Sequence, residues 1–210
     1  MEVPSVIYMM PGSGKRSLKG DPRIWGQILT PSSYANAPAE GRVWCADNEA
    51  FTEKYDFKRF YEWLWMFRAY RTSCVFVSAK DVVGQCWPTL RLYLFHWLLI
   101  KLMGYPVALV AQDGLEAVPL ALRFLPYDAL FIGGSTEWKM SPAADICIAA
   151  AQARGKWTHV GRVNSQKRMR HFKRVGVDSV DGTSLTYAPD RDFERFNKVL
   201  IQPSLFGRKI

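Results

Sequence analysis

The sequence predicts a compact TIM-type (β/α) barrel forming one domain over residues 1–210. Three observations carry that reading. Short β-branched or aromatic runs alternate with longer helical ones, an order that calls for parallel strands joined by right-handed crossovers. Seven or eight such runs are visible, which favours a closed barrel over an open doubly wound sheet, the other architecture built this way. The 210 residues are fewer than the about 250 usual for such a barrel, so one element is expected to be irregular or missing.

The first strand is expected at Val6–Met10 or at Gln27–Thr30, within the forty N-terminal residues that are hardest to read. Arg42–Ala46 reads as the next strand. Asp56 then suits the N-cap of a helix over FKRFYEWLWMFRAYR, because a short carboxylate can accept a first-turn N–H. Cys74–Ala79 is a strand candidate. Pro88 stands where a first-turn proline belongs, ahead of TLRLYLFHWLLIKLMG with Gly104 as the stop. Val107–Ala111 and Ala129–Ile132 follow as strands. Ser141 and Pro142 open a helix that Gly155 closes. Trp157–Gly161 is a strand, Asn164 or Ser165 caps QKRMRHFKRVG, Val177–Val180 is the last strand, and Asp190 is a cap candidate for RDFERFNKVL.

A formal net charge of +9 suits a polyanionic partner, since Lys and Arg contacts to phosphates release counterions. The four cysteines form no CxxC pair and have no histidine at metal-ligand spacing, so no zinc site and no cofactor are expected. Their apolar settings point to a reducing compartment. The N-terminus lacks the order of a signal peptide, and LYLFHWLLIKLM is too short and too interrupted to span a bilayer. No membrane contact and a cytoplasmic location are therefore expected.

The functional signal lies at the carboxyl ends of the strands, where barrel active sites sit. There the chain places Asp47, Lys80-Asp81, Gln112-Asp113-Gly114, Gly133-Gly134-Ser135-Thr136, Gly161-Arg162 and Asp181-Gly182. Alternation puts Val43, Cys45 and Asp47 on one face, Val75, Val77, Ala79 and Asp81 on another, and Val177, Ser179 and Asp181 on a third. PGSGKRS misses the spacing of a phosphate loop and reads as a surface turn. His96 reads as a satisfied helix residue, and His159 is ambiguous. The basic run Arg162, Lys167, Arg168, Arg170, Lys173 and Arg174 starts at the site face and reads as a phosphate track.

HVGRVNSQKRMRHFKRVGVDSVDGT, ADNEAF, LVAQDG and FIGGSTE together resemble, in order, the motifs of the tRNA-guanine transglycosylase superfamily. The likeness runs from about Arg42 to Thr183. The outline, without the three-cysteine, one-histidine zinc site of the tRNA-modifying members, is most similar to the phage DpdA-type enzymes. That resemblance implies exchange of guanine in DNA for a free 7-deazaguanine base such as 7-cyano-7-deazaguanine, protecting phage DNA from host nucleases. The host cytoplasm would then be the location. It implies that Asp181 attacks the sugar, with Asp178 as a rival whose parity points away, and that Asp47 passes a proton to and from the exchanged bases. Asp81 would meet the two donors of guanine, while Gln112 and the Gly133-Gly134 backbone would meet its carbonyl. Phe51 takes the place of the stacking aromatic, Val160 with Gly161 the opposite face, and Ser135 or Thr136 would meet the 7-substituent. Arg162, Lys167, Arg168, Arg170 and Lys139 with Trp138 would hold nucleic acid whose target base has been extruded. The alternatives are a tRNA substrate, a non-catalytic nucleic-acid-binding barrel, and an enzyme of small phosphorylated metabolites.

Overall fold

In the computed structural model, which describes residues 6–12, 20–33, 37–187 and 189–201, eight parallel strands close into a barrel in chain order. They are β1 Ile7–Pro11, β2 Trp25–Leu29, β3 Trp44–Ala46, β4 Cys74–Ser78, β5 Val107–Ala111, β6 Ala129–Ile132, β7 Trp157–Val160 and β8 Ser179–Asp181. β1 pairs with both β2 and β8, which closes the ring. Both N-terminal candidates are therefore strands, and no barrel strand is missing. The saving in length lies elsewhere: strands run three to five residues, and among the described residues the helices begin only after β3. The PGSGKRS motif falls largely outside the described residues.

The helices are α1 Phe57–Met66, α2 Cys86–Leu102, α3 Pro119–Phe124, α4 Thr136–Lys139, α5 Pro142–Ala153, α6 Gln166–Val175, α7 Ser184–Tyr187 and α8 Pro189–Leu200. Asp56 caps α1 by accepting from the Arg59 N–H at 2.7 Å. The expected continuation to Arg71 tightens instead into 3-10 turns over Phe67–Ser73, where the Trp44 indole N–H takes the Tyr70 carbonyl at 2.9 Å. Ser165 is the cap of α6; Asn164 instead accepts from the Thr183 N–H at 2.7 Å. Asp190 lies inside the first turn of α8 and is not its cap.

Two apolar layers follow from the alternation of the strands. Outward residues such as Trp44, Val77, Leu109 and Val160 pack under the helices. Inward ones, Met9, Ile28, Cys45, Phe76, Ala108, Val110, Ala129 and Phe131, fill the barrel. The interior is narrow: at Gly26 a Cβ would lie 2.6 Å from the Met9 sulfur and 2.9 Å from the Val43 carbonyl oxygen. Strand β4 breaks the expected alternation. Trp44 pairs with Cys74 but Cys45 pairs with Phe76, so one extra residue, Val75, is inserted. Phe76 then points inward while Val77 and Ala79 face the helices. The face expected for Val77, Ala79 and Asp81 is thus corrected.

The basic run is also less uniform than its sequence suggests. Lys173 is buried, and its Nζ donates to the carbonyls of Val199 and Leu200 at 2.6 and 3.0 Å. A cation there satisfies the orphan carbonyls at the end of α8 and matches the helix dipole. Lys173→Ala is expected to lower stability by about 2 kcal/mol, read as a shift of the urea midpoint at unchanged slope.

Candidate active site

The carboxyl ends of the strands enclose a cavity of about 270 Å³ lined by Asp47, Asp81, Asp181, Gln112, Gly133, Gly161, Phe51 and Arg162, all anticipated from sequence. Asn48, Glu49, Phe131 and Thr30 also line it.

Asp47 leaves β3 with its N–H donated to the Leu29 carbonyl at 2.9 Å. Its carboxyl is pushed up to about 7, first by burial and then by the charges of Asp181 and Asp81. Asp81 enters the cavity from the loop beyond β4, and burial raises it too. Its two oxygens are held separately: Asn48 Nδ2 donates to Oδ1 at 2.9 Å and Gln112 Nε2 to Oδ2 at 2.7 Å. Asn48 is itself buried and fixed by the Ala79 carbonyl at 2.7 Å. The Gln112 amide oxygen accepts from the Gly84 N–H at 2.8 Å, which orients its NH₂ toward Asp81 and the cavity.

Asp181, at the end of β8, is addressed by two groups from β7 and its exit loop. The Arg162 N–H donates to Oδ1 at 3.1 Å, and His159 Nε2 lies 2.9 Å from Oδ2. His159 is fully buried inside the barrel, and its Nδ1 lies 2.8 Å from Ser179 Oγ. Ser179 in turn accepts from Trp157 Nε1–H at 2.8 Å. The alternation Trp157, His159, Gly161 was the available signal for this placement, since those three share the inward face. Asp178 serves the other end of the barrel, accepting from the Thr158 N–H and hydroxyl at 2.7 and 2.8 Å.

Arg162 has φ +62°. Its guanidinium lies 4.1 Å over the Phe51 ring and donates to the carbonyls of Gly133 and Gly134. Arg162 is therefore a wall of the cavity and not the start of a surface track. The Gly133 and Gly134 N–H groups both go to the Ala111 carbonyl, at 2.9 and 3.2 Å. This corrects the expectation that they face a ligand carbonyl; Gln112 alone of that group keeps its amide at the cavity.

Several other expectations change. Val160 faces the helix layer, because Gly161 and His159 take the inward positions. Ser135 caps α4 and donates its hydroxyl to Asp113 at 2.6 Å. Lys139 is 3% exposed, and its Nζ donates to the Gly161 carbonyl at 2.7 Å. Burial, then the charge of Arg162, brings this ammonium down to about 7. It props the cavity wall and offers nothing to a surface phosphate. Trp138 is buried as well, its indole N–H donating to Glu116 at 2.9 Å. Arg168 is half-buried, donating to the Arg162 carbonyl at 3.3 Å. Lys167 and Arg170, with Arg174, remain exposed on α6. His96 is a helix residue paired with the Tyr61 hydroxyl at 2.7 Å.

Among the described residues no group of three or more His, Cys, Asp or Glu could hold a metal ion, and no helix is long and apolar enough to cross a membrane. No family model matches the chain, and no curated protein matches it.

Proposed function

We propose that this protein is a base-exchange transglycosylase that replaces guanine in DNA with a 7-deazaguanine through a covalent aspartyl-glycosyl intermediate. The observation that carries the reading is the pairing of Asp47, pushed up to about 7, with Asp181, met by two nitrogen groups in the same cavity. Two carboxyl groups in contrasting environments divide acid–base and nucleophilic work between them.

Asp181 attacks C1′ as the bond from C1′ to guanine N9 breaks. The electron pair leaves with guanine, and Asp47 supplies its proton. The incoming base returns a proton to Asp47 while its nitrogen displaces Asp181, so the enzyme ends as it began and the sugar keeps its configuration. Asp81, its oxygens already aligned by Asn48 and Gln112, offers its remaining lone pairs to the ring N–H and amine of guanine. The Gln112 NH₂ is placed for the carbonyl beside them. Phe51, 57% exposed at the mouth, gives a stacking surface backed by Arg162. Lys167, Arg170 and Arg174 supply an exposed basic face for the phosphate backbone.

The test is incubation with duplex DNA and 7-cyano-7-deazaguanine, digestion to nucleosides and mass spectrometry, with tRNA as a parallel acceptor. The deazaguanine nucleoside in DNA is the expected result. Incorporation into tRNA alone would move the assignment to RNA, and incorporation into neither acceptor would overturn it.

The same assay reads a backbone constraint. A Cβ at Gly161 would lie 2.6 Å from Phe131 Cε2 and 3.3 Å from Asp181 Oδ2. Phe131 cannot yield, being packed on Phe76 and His159. Gly161→Ala is therefore expected to reduce kcat about a hundredfold by displacing Asp181, with a small change in KM.

A further inference from the structure

We propose that Trp157, Ser179 and His159 form a one-way hydrogen-bond relay that holds His159 as the neutral tautomer with its proton on Nε2, aimed at Asp181. The inference rests on the reading of Asp181 as nucleophile and adds a positioning system behind it. Its direction follows from counting hydrogens. An indole N–H can only donate, so Trp157 occupies one lone pair of Ser179 Oγ, 2.8 Å away. The Ser179 hydroxyl hydrogen must then point elsewhere, and His159 Nδ1 lies 2.8 Å from the same oxygen. Nδ1 thus accepts, the ring proton sits on Nε2, and Nε2–H donates to Asp181 Oδ2 at 2.9 Å.

The other proton arrangements fail inside this barrel. A proton on Nδ1 would give Ser179 Oγ two donors and leave its own hydrogen without an acceptor, at a site where both Ser179 and His159 are fully buried. The ring cannot turn to escape, because Phe131 meets it edge-on at 4.6 Å and Phe76 packs against it at 5.0 Å. The groups that act on Asp181 from other elements are Asp47, Cys45, Tyr8, Lys139 and the Arg162 guanidinium. Of the side chains named here, only His159 makes a hydrogen bond to its carboxylate.

The relay serves both halves of the exchange without giving up a proton. Before attack it fixes the plane of the Asp181 carboxylate. After attack the same N–H donates to the remaining ester oxygen, making Asp181 a better leaving group when the new base arrives. His159 keeps its hydrogen throughout, and Asp47 does all the proton transfer.

The chain has three histidines, so ¹⁵N-histidine NMR can resolve their tautomers, with His159→Gln supplying the assignment. The expected spectrum at neutral pH shows His159 protonated on Nε2 alone. Trp157→Phe removes the fixed donor while keeping ring bulk, and Ser179→Ala removes the link. Both are expected to mix the tautomers and to lower kcat roughly tenfold to a hundredfold with KM for the free base unchanged. His159→Gln, which can still donate to Asp181, is expected to retain more activity than His159→Leu. A wild-type Nδ1–H tautomer would overturn the relay, as would variants that leave both tautomer and rate unchanged. A chain that exchanges no base but shows the Nε2–H tautomer would sink the transglycosylase reading and keep the relay. Exchange with the Nδ1–H tautomer would do the reverse.

Discussion

Asp181→Asn is expected to reduce base exchange by about four orders of magnitude or more, because an amide cannot form the glycosyl ester. The substitution is nearly isosteric. The amide oxygen can still face His159 Nε2, now 2.9 Å from Oδ2, so the barrel interior should be undisturbed. Two measurements separate lost chemistry from lost structure. The variant's thermal midpoint should stay close to wild type. Wild type, incubated with DNA and no incoming base, should give a denaturation-resistant protein–DNA adduct that the variant lacks. An adduct that survives the substitution would place the nucleophile elsewhere.

Asp47 gives the second large effect, and it has two parts. Its carboxyl is raised to about 7, chiefly by burial, so the proton needed for departing guanine is present below that value and absent above it. The rate of the first displacement is expected to fall by about tenfold per pH unit above about 7. Asp47→Asn should lower the rate by about a hundredfold to ten-thousandfold and abolish that alkaline limb.

Stability should move the opposite way. A carboxyl whose folded value lies above its unfolded value favours the folded state fully below the unfolded value. The advantage is lost as pH rises through the folded one. Between about pH 4 and 7 the wild type should therefore lose stability that Asp47→Asn keeps. Its oxygens face an open cavity that partly solvates the charge, so the difference is set at about 2 kcal/mol above pH 7. Urea titrations of both proteins across that range measure it. A variant less stable than wild type at pH 8 would show that burial is not what raises Asp47.

The barrel was legible because its evidence is periodic and repeated: β-branched runs, helical runs and polar strand ends recur around the ring. Asp47, Asp81, Gln112, Gly161 and Asp181 were legible for the same reason, each standing where a strand stops. Other features depend on facts that no local pattern carries. Lys139 and Arg168 read as surface cations because a lysine or arginine in a short helix usually is one, whereas here the Gly161 and Arg162 carbonyls draw them inward. The Gly133 and Gly134 amides read as free because their partner, the Ala111 carbonyl, belongs to another strand. Asn48 passed as part of a turn, and only the tertiary fold brings Asp81 to it across thirty-three residues.

The residue inserted at Val75 bears on how this chain should be lined up with other barrels. Counting forward from Cys74 assigns the inward face to the wrong side chains, since every position after the insertion is out of phase with an unbulged strand. Counting backward from the strand's last residue, Ser78, restores the phase and identifies Phe76 as the equivalent of inward residues in neighbouring strands. A comparison that forbids a gap inside so short a strand will misplace either Cys74 or Ser78. A single gap at Val75 keeps both in register.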